Sequence, residues 1–359
     1  MDAKEKLGQY KEQVEVELQK YLDNKTQEAG EISPYCQEIM EHITDITMRG
    51  GKRIRAALLY YSFLAHGGEN KAAAIQASLA MELMQTFLLI HDDIIDNDSL
   101  RRGGKTIHTI YKEIGAERFP GKIDPEQFGK SVAILAGDTA NGFSNEIIAE
   151  LNQLGIDKGY ASRALLELNK MYNKEYYGEF LDVISELTND FKQKDLIQVH
   201  QLKTVPYTFD GPIKIGAILA GASEEDLQKL EGYTVPLGTA FQIQDDVLGT
   251  FGTEEKIGKP VTSDLREGKR TLLILDALDK ANEEQKEIIE KNLGNKLVGM
   301  EELEEVRQVI KETGAYQESI DAAHKYVNES IKSLDSTELK KEGKDFLIGI
   351  AEYMVDRDF

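Results

Sequence analysis

The sequence predicts an all-α protein, and three observations carry that prediction. Proline is scarce, 7 residues in 359, while Ala, Leu, Glu and Lys, the strong helix formers, are abundant. Apolar residues recur at helical spacing from the N-terminus onwards. No Pro-rich or Ser-rich linker divides the chain, so one domain over 1–359 is expected, with 1–30 as a peripheral N-terminal helix.

A formal net charge of −21 and a pI near 4.8 argue against nucleic acid or an anionic membrane as partner, since both need a basic surface. Any phosphate site must be a local basic pocket in an acidic body. A single cysteine, Cys36, excludes an internal disulfide framework and fits a reducing cytoplasm. Residues 1–20 are charged throughout, so no secretory leader is expected. No apolar run is read as approaching membrane-spanning length, so membrane insertion is not expected either.

The elements follow in order. Residues 3–23 read as an amphipathic helix through Leu7, Tyr10, Val14, Leu18, Tyr21 and Leu22. A second helix carries Ile39, Met40 and Ile43. Gly50-Gly51-Lys52-Arg53-Ile54-Arg55 then enters an apolar helix over 54–65. Glycines beside cations at a helix start let an anion approach the backbone closely, although alone this motif reads as a solvated helix end. After the turn at His66–Asn70, residues 71–97 mix small and large apolar side chains, the pattern of a helix buried nearly all round. Residues 114–130 read as a loop, marked by Gly, Pro120 and Pro125. Helices are expected over 131–153, 160–187 and 193–220, and in the last of these Pro206 should kink the chain beside Lys203. A helix over 224–251 precedes a charged, Gly-containing stretch, 252–269, expected to be a mobile active-site loop. Amphipathic helices fill the remainder.

Two acidic clusters close apolar helices about 150 residues apart. In the first, Asp92 and Asp96 lie about 40° apart on one helix face, with Asp93 beside them. Carboxylates so crowded either face water or hold a hard cation such as Mg²⁺. Arg101 and Arg102 follow directly, and the guanidinium fork matches phosphate oxygens. In the second, Gln242, Asp245 and Asp246 share a face at spacings of three and four. A lone acidic pair at a helix end is usually solvated surface, but two such clusters, each trailed by cations, are not readily decoration. Lys203 alone could snorkel, Phe87 and Met84 alone read as core, and His91 reads as a packing residue. Neither a nucleophile triad nor a Walker-type glycine loop is present.

The series Gly51-Lys52-Arg53 with Arg55, Asp92-Asp93-x-x-Asp96, Arg101-Arg102-Gly103, Lys203-Thr204, Phe241-Gln242 with Asp245-Asp246, then Lys259 and Lys269, resembles the trans-isoprenyl (polyprenyl) diphosphate synthases over residues 35–357. That resemblance implies an isoprenoid synthase-type bundle of antiparallel helices around a central cavity, in a homodimer. It implies that the two aspartate motifs face each other and hold three Mg²⁺, with Mn²⁺ as a substitute, on the diphosphate of an allylic prenyl substrate. Metal ligands would be Asp92, Asp93, Asp96, Asp245 and Asp246. Arg101, Lys203, Gln242, Lys259 and Lys269 would touch the allylic diphosphate. Lys52, Arg55, Gln85 and Arg102 would hold that of isopentenyl diphosphate, while Thr204 and Gln242 would help solvate a carbocation.

Two departures from the family stand out. Gly249 occupies the place of a third aspartate in the second motif, and Glu179 replaces a usual Gln ahead of Asp182. Phe87 stands five residues before Asp92, about 7.5 Å along the helix, and Met84 one turn deeper. A bulky aromatic there should stop chain growth early, which points to a short-chain product, geranylgeranyl before farnesyl diphosphate. A longer-chain synthase, a silent subunit of a heteromeric synthase, a terpene cyclase or head-to-head synthase, and a plain cation-binding helical protein, which would not need Lys203, Lys259 or the arginine pair, are the competing readings. The retained aspartates and cations count against the silent subunit, and Asp245-Asp246 with Lys259 against the cyclase.

Overall fold

The computed structural model describes residues 2–188, 193–253 and 260–355. Its described residues are helical nearly throughout. The described strands are one two-stranded pair, β1 (Leu100–Arg101) and β2 (Gly104–Lys105). The chain folds as two compact units, Met1–Leu168 with Lys214–Ala222, and Asn169–Ile213 with Ser223–Phe359.

In the first unit α1 (Ala3–Ile32) runs nine residues beyond the expected end, because nothing from Asp23 to Ile32 breaks it. It buries Leu7, Tyr10, Val14, Leu18 and Leu22, and the Tyr10 hydroxyl meets Ser78 Oγ at 2.5 Å. Next come α2 (Pro34–Met48), α3 (Ile54–Ala65) and α4 (Lys71–Ile95). Contrary to expectation, α4 is apolar enough by length and composition to span a membrane, yet its most apolar window is 83% buried inside the protein. Its small residues let neighbours approach closely: Ser144 donates to the Ala80 carbonyl at 2.8 Å. Met40, Ile43, Ile46, Ile90, Ile107, Tyr111, Ala133 and Ala136 pack near the C-terminal end of α4 and give its carboxylates a rigid base.

The expected loop over 114–130 is mostly helix. α5 (Ile107–Arg118) continues through Gly115, where a Cβ would come 2.7 Å from Phe128, and only residues 119–124 connect it to α6 (Pro125–Glu150). Pro125 does not mark loop; it sits in the first turn of α6, behind the Asp124 cap, where its missing N–H costs nothing.

In the second unit, after α7 (Lys158–Leu187), whose N-terminal part belongs to the first unit, α8 (Gln193–Lys203) gives way to a π turn, Pro206–Asp210, and to the start of α9 (Gly211–Leu219), which from Lys214 belongs to the first unit. Proline cannot supply the next i→i−4 bond, and the ladder widens, with the Gly211 N–H reaching the Pro206 carbonyl. α10 (Glu224–Phe251) starts at a Ser223–Asp226 capping box. It is the spine of this unit, followed by α11 (Ser263–Glu267), α12 (Leu272–Lys280), α13 (Glu283–Asn292), α14 (Met300–Glu312), α15 (Ala315–Ser333) and α16 (Lys341–Val355). The Tyr233 hydroxyl donates to the Leu347 carbonyl at 2.6 Å, and Ser330 Oγ donates to the Tyr233 carbonyl at 2.8 Å, tying α10 to α15 and α16.

Candidate active site

In the first unit α4 presents its three aspartates in three different settings. Asp92 is half-buried, Asp96 is exposed, and Asp93 is turned inward at 1% exposure. Asp93 Oδ1 accepts the Arg101 Nε–H at 2.6 Å, while its Oδ2 is buried without a hydrogen-bond partner in the described structure. Burial raises the Asp93 carboxyl to about 6 against the opposing pull of Arg101. Arg101 also lies 3.3 Å from Asp98.

The segment after the aspartates forms a hairpin before the next helix. Leu100 pairs with Lys105 and Arg101 with Gly104. Arg102 (φ 52°) and Gly103 (φ 76°) form its two-residue turn, and positive φ at both central positions is the type I′ requirement. The turn carries Arg102 back to the glycine segment, where its Nη1 lies 3.3 Å from the Arg49 carbonyl. Its guanidinium also lies 3.5 Å from where a Cβ on Gly51 would sit. There burial and the charges of Arg53, Arg55 and Arg101 hold its guanidinium below the usual arginine range. Lys52 is exposed and Arg55 half-buried beside it, and Gln85 Oε1 is buried with no hydrogen-bond partner in the described structure. Among the described residues, the non-glycine positive-φ positions are Arg53, Asn97 and Arg102, all on these segments.

Deeper along α4, Phe87 and Met84 are both buried, and the Phe87 ring meets His91 edge-on at 4.8 Å. His91 Nε2 lies 3.2 Å from the Ile134 carbonyl and 3.8 Å from Asp138 Oδ1.

In the second unit Lys203 Nζ lies 2.6 Å from Asp182 Oδ2 and 2.7 Å from Glu179 Oε2. Burial alone would depress this ammonium, but the two carboxylates outweigh it and hold it above the usual lysine range. Gly178 lets the backbone at Lys203 come close to α7, since a Cβ there would stand 2.5 Å from the Lys203 backbone nitrogen. The Thr204 hydroxyl donates to Gln242 Oε1 at 2.8 Å, and Gln242 Nε2 donates to Asp246 Oδ1 at 2.9 Å. The Leu272 N–H donates to Asp246 Oδ2 at 3.2 Å. The shared face expected for Gln242, Asp245 and Asp246 divides: Asp246 is buried in this relay and Asp245 is exposed. Burial pushes the Asp246 carboxyl up to about 8, opposed by its bond from Gln242.

Sequence reasoning missed Asp264. A Cβ on Gly249 would come 2.2 Å from Asp264 Oδ2, so this carboxylate, delivered by α11, fills the space where a third aspartate of the motif would begin. Lys269 Nζ is 3.9 Å from Asp264 and 3.1 Å from Glu267. The glycine was the available signal. Lys259 lies outside the described residues.

The donors of both clusters are carboxylate oxygens, and the partnerless Asp93 Oδ2 and strongly raised Asp246 are groups whose charged forms a cation would stabilise. The set fits a hard divalent ion such as Mg²⁺.

A helical fold with an acidic cluster in each unit and cations grouped near the first has the charge pattern of an enzyme handling anionic, metal-bound substrates. The comparisons agree with it. The polyprenyl synthetase family model matches residues 34–312. Geranylgeranyl diphosphate synthase of Sulfolobus acidocaldarius is 32% identical over 86% of this chain and 87% of its own. Geranylfarnesyl diphosphate synthase of Aeropyrum pernix is 33% identical over 86% and 91%. The crystal structure of a geranylgeranyl pyrophosphate synthase of Corynebacterium glutamicum, complexed with isoprenyl diphosphate and magnesium, superposes with a TM-score of 0.88 at 31% identity, covering 98% of this chain and 99% of that one. This chain belongs to the polyprenyl synthetase family of Mg²⁺-using prenyltransferases, in its short-chain trans-isoprenyl group.

Proposed function

We propose that this protein condenses isopentenyl diphosphate head-to-tail with an allylic diphosphate and releases geranylgeranyl diphosphate. The observation that carries the product length is buried Phe87, five residues ahead of Asp92 on α4. Residues 1–359 act as one synthase domain, as a homodimer in the cytoplasm.

Asp92, Asp93, Asp96, Asp245 and Asp246 hold the metal, three Mg²⁺ or Mn²⁺ in their place. A metal held there would supply positive charge to the departing diphosphate. Arg101, Lys203, Gln242, Lys259 and Lys269 orient that diphosphate. Lys203 reaches it by sharing the ammonium that Asp182 and Glu179 now hold. Lys52, Arg55, Gln85 and Arg102 bind the diphosphate of isopentenyl diphosphate and aim its double bond at the allylic carbon. When the allylic C–O bond ionises, Thr204 is the better placed to solvate the cation, because Gln242 Oε1 already accepts its hydroxyl proton. The departing diphosphate takes the proton lost after C–C bond formation, so no side-chain base is required. Asp264 serves as the carboxylate that Gly249 omits.

The test is incubation with Mg²⁺, isopentenyl diphosphate and dimethylallyl, geranyl or farnesyl diphosphate, followed by measurement of chain length. No elongation of any starter would sink the enzyme reading. A C25 product would favour the geranylfarnesyl alternative raised by the Aeropyrum relative.

A further inference from the structure

Arg53 is an unusual residue for its position. It caps the start of α3 in the left-handed region (φ 56°, ψ 32°), which disfavours a side chain, and its guanidinium is only 2% exposed. Glycine would avoid both costs. Three anchors offset them. Arg53 Nη1 donates to Glu82 Oε2 on α4 at 2.7 Å, Nε to Glu15 Oε1 on α1 at 3.1 Å, and Nη2 to the Thr47 carbonyl on α2 at 3.0 Å. Beneath this pair, the Thr86 hydroxyl lies 2.9 Å from Thr47 Oγ1 and 3.0 Å from the Glu82 carbonyl.

The placement of this anchor matters more than its strength. A buried ion pair is often no more stabilising than a well-packed apolar pair, so its rationale is sought in what it aligns. Arg53 lies between Lys52 and Arg55 in sequence. Glu82 lies one turn before Gln85 on the same face of α4. One contact therefore couples the turn bearing two cations to the helix bearing the third proposed ligand, and Arg102 rests on the same turn through the Arg49 carbonyl.

We propose that Arg53 is a positioning residue for isopentenyl diphosphate, holding Lys52 and Arg55 in register with Gln85 through its buried pair with Glu82. The inference rests on the reading that those residues bind that diphosphate.

Three variants test it: Arg53→Lys, which keeps the charge and loses the fork; Glu82→Gln; and the double variant Arg53→Gly with Glu82→Leu. The double variant suits the left-handed backbone and leaves no buried charge unpaired, so it should remain folded with a melting temperature near wild type. In each, KM for isopentenyl diphosphate should rise about tenfold or more, as expected when charge-assisted contacts lose alignment. KM for farnesyl diphosphate should stay within about twofold of wild type, since remote polar sites are close to independent. Titration calorimetry with isopentenyl diphosphate alone should show the same weakening without turnover. Unmoved isopentenyl diphosphate affinity in a folded variant overturns the proposal, as does a parallel loss for both substrates. Wild-type protein that consumes no isopentenyl diphosphate would instead sink the functional reading itself.

Discussion

Truncating Phe87 to alanine gives the most direct account of how this chain sets product length. Counting ~1.5 Å per residue, the Phe87 ring springs from α4 about 7.5 Å before Asp92, and Met84 about 12 Å before it. Removing the ring moves the first bulky obstruction back by about 4.5 Å, one helical step of three residues, before flexible Met84 is met. The product should gain at least one C5 unit, and a Phe87→Ala, Met84→Ala double variant should lengthen it again. Phe87 is 3% exposed, so its loss also costs about 3–5 kcal/mol of stability, part of it the edge-on contact with His91. That cost is a large part of the 5–15 kcal/mol typical of folded proteins, so assays should run well below the melting temperature. The assay is elongation from farnesyl diphosphate, followed by dephosphorylation and reversed-phase separation of the alcohols. A folded, active Phe87→Ala variant with the wild-type product distribution would refute the reasoning and remove Phe87 as the ruler.

Other expectations follow from the site. Asp264→Ala should raise the Mg²⁺ concentration for half-maximal activity about tenfold, and a Gly249→Asp, Asp264→Ala double variant should recover part of the loss, because the new carboxylate then has room. An unchanged Mg²⁺ requirement in Asp264→Ala would exclude it from the site. Glu179→Gln removes one of the two charges holding Lys203, so KM for the allylic diphosphate should fall severalfold; a rise would show that Glu179 assists binding. Burial holds the His108 imidazole below its ordinary value, so the fold takes it up neutral. Its contribution is full above about pH 6.5 and is lost as pH falls through the lower folded value, so urea midpoints should decline on acidification less steeply in His108→Gln than in wild type.

Much of the helical frame is legible from local signals. The helix expected over 224–251 is α10 with those bounds, opened by a Ser223–Asp226 capping box, and the apolar run into Asp92 fixes α4. The 114–130 segment misleads because proline serves a helix's first turn as readily as a loop, and only the Asp124 cap tells which. The hairpin is hidden for another reason. Arg102-Gly103 lacks the Asn-Gly or Asp-Gly signature, and the turn is held in part by Arg102 contacts to residues some fifty positions away. Helical spacing puts three aspartates together but does not tell which faces inward; the Arg101 contact to Asp93 answers that. Asp264 is beyond such reasoning, since its closeness to Gly249 is a tertiary fact.

The left-handed backbone at Arg53, Asn97 and Arg102 has a consequence for engineering this chain. Glycine at these positions would relax the backbone and, by that criterion alone, look like an easy gain in thermal tolerance. All three lie on the turns next to the first acidic cluster and the glycine segment, so relaxation there would loosen the groups proposed to receive substrate. A search for sturdier variants should leave these turns alone and look to the outer faces of α13 to α16, where ordinary helix-favouring substitutions touch none of the chemistry.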